Sequence, residues 1–185
     1  MASEYNSKPA ATTADGFDLV FAEYYQPIYS YVLRMIGDTE EAADLTVTSF
    51  EKAMKAWPRR PADLQVRPWL YRIATNTCLD TLRRRRLIRW LPLDVFGRSA
   101  PHPVDADDPE DSALRNENAR EVRAALARLP DHYRTALILR ESEGLSCDQI
   151  GEALGISRAA AKVLLFRARE RLRQAYFALE AEAKR

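Results

Sequence analysis

The stretch Ser146–Arg173, S-C-D-Q-I-G-E-A-L-G-I-S-R-A-A-A-K-V-L-L-F-R-A-R-E-R-L-R, reads as two capped helices joined by a glycine turn. Ser146 caps the first helix, and Gln149, three residues on, completes a Ser-x-x-Gln capping box. Gly155 ends that helix, because glycine enters the left-handed C-cap conformation without a Cβ penalty. Ser157 then supplies a side-chain oxygen to cap a second helix. That helix is basic: Arg158, Lys162, Arg167, Arg169, Arg171 and Arg173 stand against Glu170. Ala161, Leu165, Ala168 and Leu172 recur at helical spacing as its inward stripe. A cationic face opposite an apolar one suits a helix lying in the DNA major groove, and the unit reads as a helix-turn-helix. A basic amphipathic helix alone would equally be a solvated surface helix; the caps and the turn separate the two cases.

Outward from this unit, the 185-residue chain has room for one domain or two small modules. A formal net charge of +1 hides segregation, with arginines gathered at 83–89 and 158–173 and acids at 105–121. Cys78 and Cys147 fit neither a zinc spacing nor a disulfide framework, so reduced thiols are expected. The polar N-terminus lacks a signal-peptide core and no run is long enough to span a bilayer, which points to a cytoplasmic protein without membrane insertion. Few strand-like alternations point to an all-α fold.

Residues 1–14 are rich in Ala, Ser and Thr and are expected to be disordered. Phe17, Val20, Phe21 and Tyr24 then share a helical face that Ile28, Tyr31, Val32 and Met35 continue. Pro27 between them either kinks the helix or opens its continuation. After Gly37, Asp38 and Glu41 form a second capping box for a helix reaching about Trp57. Ala42, Leu45, Ser49, Phe50, Ala53 and Trp57 face inward there, leaving Glu40, Glu41, Asp44, Thr48 and Glu51 as an acidic surface. The stretch W-P-R-R-P-A-D-L-Q-V-R, 57–67, is a loop, since its prolines forbid regular helix. Pro68 sits in the first turn of a third helix whose inward residues are Trp69, Leu70, Ile73, Thr77 and Leu82 and which ends in Arg83–Arg86. That arginine run fits phosphate contact, although cations also suit a helix C-terminus. A helix from Ser112 to Leu129 and another from Pro130-Asp131 to Gly144, carrying Tyr133, Ala136, Leu137 and Leu139, precede the helix-turn-helix. The expected fold is therefore all-α, with two small helical domains, 15–90 and 112–185, joined by an acidic Pro-rich linker, 91–111, and the helix-turn-helix in the second.

Several segments together resemble the extracytoplasmic-function (ECF) sigma factors of the sigma-70 family of bacterial RNA polymerase. They are D-T-E-E-A-A-D-L (38–45), P-W-L-Y-R-I-A-T-N-T-C-L-D-T-L-R-R-R (68–85), L-P-D-H-Y-R-T-A-L-I-L-R (129–140), and E-G-L-S (143–146) with R-A-R-E-R-L (167–172). The resemblance implies a dissociable initiation subunit that is not an enzyme and uses no cofactor or metal. It implies that Asp38, Glu41, Asp44, Val47, Thr48 and Glu51 contact core RNA polymerase at the beta-prime clamp helices, with a second contact at the beta flap. Arg59, Arg60, Arg67, Tyr71, Asn76, Asp80, Arg83, Arg84, Arg85 and Arg86 would melt and hold the minus-ten element of promoter DNA, Asn76 and Asp80 being equally readable as structural residues. Arg158, Ala159, Lys162, Val163 and Phe166 would read the minus-35 element while Arg167 and Arg169 hold phosphates. The linker would thread the polymerase channel later taken by RNA, or serve as a plain tether.

Two departures from the family pattern bear on these roles. D-L-T-V-T-S-F (44–50) stands where the family has D-L-V-Q-E-T-F, so Val47-Thr48 replaces a Gln-Glu pair facing the clamp. A-K-V-L-L-F-R-A-R (161–169) puts Val163-Leu164 at an expected Ser-Arg and leaves Phe166 outward. Val163 and Phe166 suit either thymine methyl groups or an apolar patch for an inhibitory partner, Val163 favouring DNA and Leu164 the partner. Because the chain stops soon after the second module, that partner is expected to be a separate anti-sigma factor, gripping Leu164, Phe166 and the acidic helix. Two other classes remain open at this point: a stand-alone helix-turn-helix regulator, and a sigma-like adaptor or decoy without initiation activity.

Overall fold

A computed structural model describes residues 13–90 and 113–183. The expectations for residues 1–12, for the linker and for the Ser112 cap lie outside the described residues. Helix α1, Thr13–Ile36, runs through Pro27 without a break. Its inward residues Phe17, Ile28, Tyr31, Val32 and Met35 are buried, but Phe21 sits at the rim, 42 % exposed, with its ring edge-on to Phe50. Gly37 takes a positive φ of 79° and lets the chain reverse into α2, Thr39–Ala56. The Asp38 carboxylate accepts the Glu41 N–H at 2.8 Å, as the capping motif requires. The reciprocal arm is diverted, since the Glu41 carboxylate pairs with Arg85.

The inward stripe of α2 is buried as expected at Ala42, Ser49, Phe50 and Ala53, with Thr46 joining it. Trp57 heads a short 3-10 turn, Trp57–Arg59, and α3 follows at Val66–Trp90. Edge-on and tilted rings tie the three helices together: Phe17 to Phe50 at 6.4 Å, Phe17 to Trp57 at 5.5 Å, and Trp57 to Trp69 at 6.0 Å between centroids.

The second module holds α4, Ala113–Ala127, and α5, Asp131–Leu137. Sequence pattern predicts one regular helix to Gly144, but Ile138–Ser142 is a π-helical turn in which the Glu143 N–H reaches back to the Ile138 carbonyl at 3.1 Å. The wider turn keeps Ile138 and Leu139 buried while bringing Glu143 round toward α1 and α3. Helices α6, Cys147–Leu154, and α7, Arg158–Ala183, complete the chain. Leu129, Leu137 and Ala168, flanked by Leu126, Tyr133 and Leu172, form a small core between α4, α5 and α7.

The modules are not separate bodies on a tether. α6 packs on α3 and the π turn packs on α1. Tyr31, Met35, Tyr71, Ala74 and Cys78 of the first module share one buried cluster with Leu139, Leu145, Ile150 and Ala153 of the second. The Thr135 hydroxyl contacts the Met35 sulfur at 3.6 Å across this seam. The sequence carries no sign of the packing, because each amphipathic stripe is satisfied in pattern whatever it packs against.

Burial within this core pushes the Cys78 thiol up to about 12, overriding the nearby Arg134 and Lys52 charges that pull it down. The folded chain thus keeps that proton while the unfolded chain releases it, so stability should fall as pH rises from the ordinary thiol range towards 12. At pH 8 iodoacetamide should modify half-buried Cys147 roughly 100-fold faster than Cys78 in the native chain, with equal rates after unfolding. Equal rates in the native chain would show that α3 is not covered in this way.

Candidate nucleic-acid interface

On the first module, the carboxyl end of α2 and the turn after it build a cationic groove of about 480 Å³ lined by Lys52, Lys55, Ala56, Arg59, Arg60, Pro61 and Trp69. The turn is held by Arg60, whose backbone N–H and guanidinium both donate to the Trp57 carbonyl, at 3.2 and 2.9 Å. The same guanidinium lies 3.7 Å over the Trp57 ring, and Lys52 donates to the Thr77 hydroxyl at 3.0 Å. Cations beside an indole are the surroundings that an unstacked base and its backbone need. Sequence pattern leads to Arg59 and Arg60 here but not to Lys52, Lys55 and Trp69. A signal for the lysines exists, since Lys52, Lys55 and Arg59 recur at helical spacing into the loop.

The cations of α3 are disposed differently from the sequence expectation. Arg67 is half-buried and donates to the Glu143 main-chain carbonyl. Tyr71 is buried and its hydroxyl donates to Glu143 Oε2 at 2.6 Å, while Arg34 donates to Oε1 at 2.9 Å. Burial first, and then its bond to Glu143, raise the Tyr71 pKa. In the terminal run Arg83 pairs with Asp80 at 2.8 Å, Arg85 with Glu41 and Arg86 with Asp131. Asp131 also takes Arg134 at 2.8 Å, and burial followed by the Arg86 charge lowers the Arg134 pKa. Arg84 is exposed and has no ion pair among the described residues; Asn76 is exposed and makes no side-chain hydrogen bond among them. Asp80 therefore has a structural partner, whereas Asn76 has none among the described residues.

Along the outside of α2, Glu40, Asp44, Val47, Glu51 and Met54 form an exposed stripe at helical spacing, Val47 being 48 % and Met54 54 % exposed. Met54 is a second apolar position that the sequence pattern does not single out. Asp38 is committed to its cap and Glu41 to Arg85, and Thr48 is half-buried.

In the second module the helix-turn-helix forms as its caps predict. The Ser146 N–H donates to Gln149 Oε1 at 2.9 Å, and the Gln149 N–H to Ser146 Oγ at 3.2 Å. Gly155 is left-handed at φ 67° and ψ 34°, and Ser157 Oγ accepts the Ala160 N–H at 3.1 Å. Gly151 is a further requirement: a Cβ there would lie 2.7 Å from the Ile156 carbonyl oxygen, so any side chain would force the turn apart. On α7, Ala161, Leu165 and Ala168 are buried and Leu172 is partly buried. Ala159, Lys162, Val163, Phe166 and Arg167 are exposed together, Phe166 at 73 %. Arg158 pairs with Asp148 at 3.3 Å and Arg169 with Glu141 at 2.7 Å, whereas Lys162 and Arg167 have no ion pair among the described residues. Leu164 departs from the expected patch: it is half-buried and packs on the core, leaving Val163 and Phe166 as the exposed apolar pair.

Such surfaces define a helical, two-module protein with a helix-turn-helix and a second cationic face. Sigma-70 region 2 matches residues 20–88, and Sigma-70, region 4 matches residues 119–172. The ECF RNA polymerase sigma factor SigW of Bacillus subtilis is 31 % identical over 165 residues, covering 86 % of this chain and 88 % of SigW. The RNA polymerase sigma-H factor of Pseudomonas aeruginosa is 35 % identical over 173 residues, covering 90 % and 89 %. In fold, the chain is similar to the sigma factor RpoE of Bartonella quintana, solved with the anti-sigma factor NepR. The TM-score is 0.67 at 21 % identity, over 87 % of this chain and 96 % of the other. CnrH, solved with the cytosolic domain of CnrY, gives 0.65 at 23 % identity, over 89 % and 90 %. The chain belongs to the sigma-70 family and is an ECF-type RNA polymerase sigma factor.

Charge pairing separates the cations by their freedom to release counterions. In holoenzyme binding to a promoter duplex, replacing Lys162 and Arg167 by Gln should reduce the slope of log affinity against log salt by about 0.9 for each phosphate no longer neutralised. Arg85→Ala, which removes a cation already neutralised by Glu41, should leave the slope within error. The reverse ranking would contradict the assignment.

Proposed function

We propose that this chain carries core RNA polymerase to promoters by a grip at two points, and that the cationic groove beside Trp57 and Trp69 holds the displaced minus-ten strand. The carrying observation is the groove itself, in which Lys52, Lys55, Arg59 and Arg60 surround an aromatic wall. Cations attract the backbone and a π-face accepts a base that has left its stack, so strand separation is favoured without any catalytic group. The protein in this role is not an enzyme and works in the cytoplasm; among the described residues no helix is long and apolar enough to cross a membrane.

The exposed face of α7 then reads the minus-35 element, with Ala159, Val163 and Phe166 against base edges and thymine methyls and Lys162 and Arg167 on phosphates. The stripe Glu40, Asp44, Val47, Glu51 and Met54 meets the polymerase clamp helices. Acids flanking two apolar side chains fit a partner helix with its own hydrophobic seam and basic flanks, a mode that does not need the Gln-Glu pair replaced by Val47-Thr48. RpoE and CnrH were each solved with a partner chain, in the RpoE case an anti-sigma factor, and that precedent supports control of this chain by a separate anti-sigma factor.

Run-off transcription with core polymerase tests the proposal. The wild-type chain should give transcripts from a defined start. The double substitution of Lys52 and Arg59 by Ala should lower them at least about tenfold by removing phosphate and base contacts, with core binding retained. Met54→Glu should instead weaken core binding. Tight promoter binding by the purified chain, with no transcripts when core is added, would favour a stand-alone regulator; core binding without transcripts would favour a decoy.

A further inference from the structure

The exposed face of α7 is laid out in an order that limits what it can recognise. At about 100° per residue, Ala159, Val163 and Phe166 fall within about 60° of one another along the middle of that face, opposite the buried Ala161, Leu165 and Ala168. Val163 is 49 % and Phe166 73 % exposed. Lys162 flanks this strip on one side and Arg167 on the other, both exposed and without an ion pair among the described residues. An apolar strip edged by a cation on each side matches a DNA major groove, whose floor of base edges is bordered by two phosphate backbones across a width of about 12 Å. From Arg158 to Arg169 the helix carries no acid. Glu170 then ends the strip, its carboxylate held by Arg173 at 2.6 Å and Gln174 at 3.3 Å. At the other end Arg158, the cation nearest the helix start, is tied to Asp148 at 3.3 Å.

We infer that α7 recognises its DNA element by methyl groups rather than by hydrogen bonds: Ala159, Val163 and Phe166 form a detector for 5-methylpyrimidines, and the element they select carries thymines on neighbouring base pairs. The inference rests on the assignment of α7 to the minus-35 element proposed above. None of the three side chains holds a hydrogen-bond donor or acceptor, so none can pair with guanine O6 and N7 or with adenine N6 and N7. The thymine methyl is the apolar group that the major-groove floor offers them. From Ala159 to Phe166 the helix axis advances about 10 Å, the length of about three base pairs, so each side chain has one step to cover. Selection also works by exclusion. A cytosine in the same place brings no methyl and turns its N4 donor toward a wall that cannot accept, which leaves a desolvated polar group unpaired. A protein partner on this strip would have to bring acids to Lys162 and Arg167 on both edges; the two backbones of a duplex supply that charge by their spacing.

The test equilibrates holoenzyme, core polymerase with the full chain, with promoter duplexes whose minus-35 region is randomised, and sequences the bound fraction. The enriched duplex is then remade with deoxyuridine for each minus-35 thymine, a change that removes only the methyl. Enriched duplexes should share two or more thymines, on either strand, within about three adjacent base pairs. Each uridine should weaken binding about fourfold, the worth of one buried methyl. Replacing one such T·A pair by C·G should weaken binding further, and 5-methylcytosine at that position should recover about fourfold. Val163→Ser and Phe166→Ser change exposed positions, so the fold is kept. In each, the thymine-to-uridine ratio should shrink toward one at the base pair that the side chain covers, whereas Lys162→Gln should weaken both duplexes alike. Equal binding of thymine and uridine duplexes by the wild-type chain, or enrichment of elements without thymine, would overturn methyl recognition. If Phe166→Ser still weakened both duplexes equally in that case, the minus-35 role of α7 would stand without it. No effect of Val163→Ser, Phe166→Ser or Lys162→Gln on either duplex would overturn the minus-35 role itself and leave the strip to a protein partner.

Discussion

Helix α3 lies between α1 and α2 on one side and α6 on the other, and its contact with α6 is the interaction from which the rest of the arrangement follows. Tyr31 and Tyr71 meet edge-on at 5.2 Å, and the Tyr31 hydroxyl shares a 2.6 Å hydrogen bond with Thr75 in the buried interior. Burial raises the pKa of both phenols, which hold their protons and serve as neutral hydrogen-bonding groups in the core. With Leu145, Ile150 and Ala153 closing over this layer, the two modules share one hydrophobic interior. The polar contacts of Glu143 and Asp131 ring that interior at the places where α3 carries its cations.

That packing leaves the cationic sides of α7 and α3 unequally exposed. The face of α7 is open because its buried stripe, Ala161, Leu165 and Ala168, is satisfied by neighbours on one side only. The corresponding side of α3 is closed, yet the groove at Lys52 and Arg59 lies beyond the covered region and stays open to solvent. In the proposed function, duplex DNA meets the open face of α7, while Arg67 and Tyr71 are held by Glu143 of the second module. The outer stripe of α2, proposed above as the core-polymerase surface, is left exposed by the second module. In the proposed two-point grip, the covalent link between the modules makes two weak contacts act as one strong one.

What was legible in the sequence is what short-range physics decides. The Ser146–Gln149 box, the Gly155 cap and the Ser157 cap each depend on residues within one turn, and all formed. The stripes of α2 and α7 followed from periodicity alone. The misses are tertiary. Leu164 reads as an outward residue until α7 is seated, when it packs on the core. Glu41 reads as the reciprocal arm of a capping box until α3 brings Arg85 to it. The run Arg83–Arg86 reads as free positive charge, although Asp80, Glu41 and Asp131 neutralise three of its members, two of them through contacts between distant parts of the chain. The π turn was invisible because Tyr133, Ala136, Leu137 and Leu139 fit an ordinary helix, and one extra residue in a single turn changes no pattern. Lys52, Lys55 and Trp69 were visible as residues but acquired a common purpose only when the 3-10 turn placed them round one groove.

The shared core is the central claim, and native-state hydrogen exchange on the free chain measures it most directly. If α3 and α6 belong to one interior, the amides of Ala74 and Thr75 and those of Ile150 and Ala153 should exchange through a common opening, with matched protection and matched dependence on denaturant. Exchange of the α6 amides at far lower protection, while α3 remained fully protected, would show that the second module is not seated on the first and would contradict the shared core.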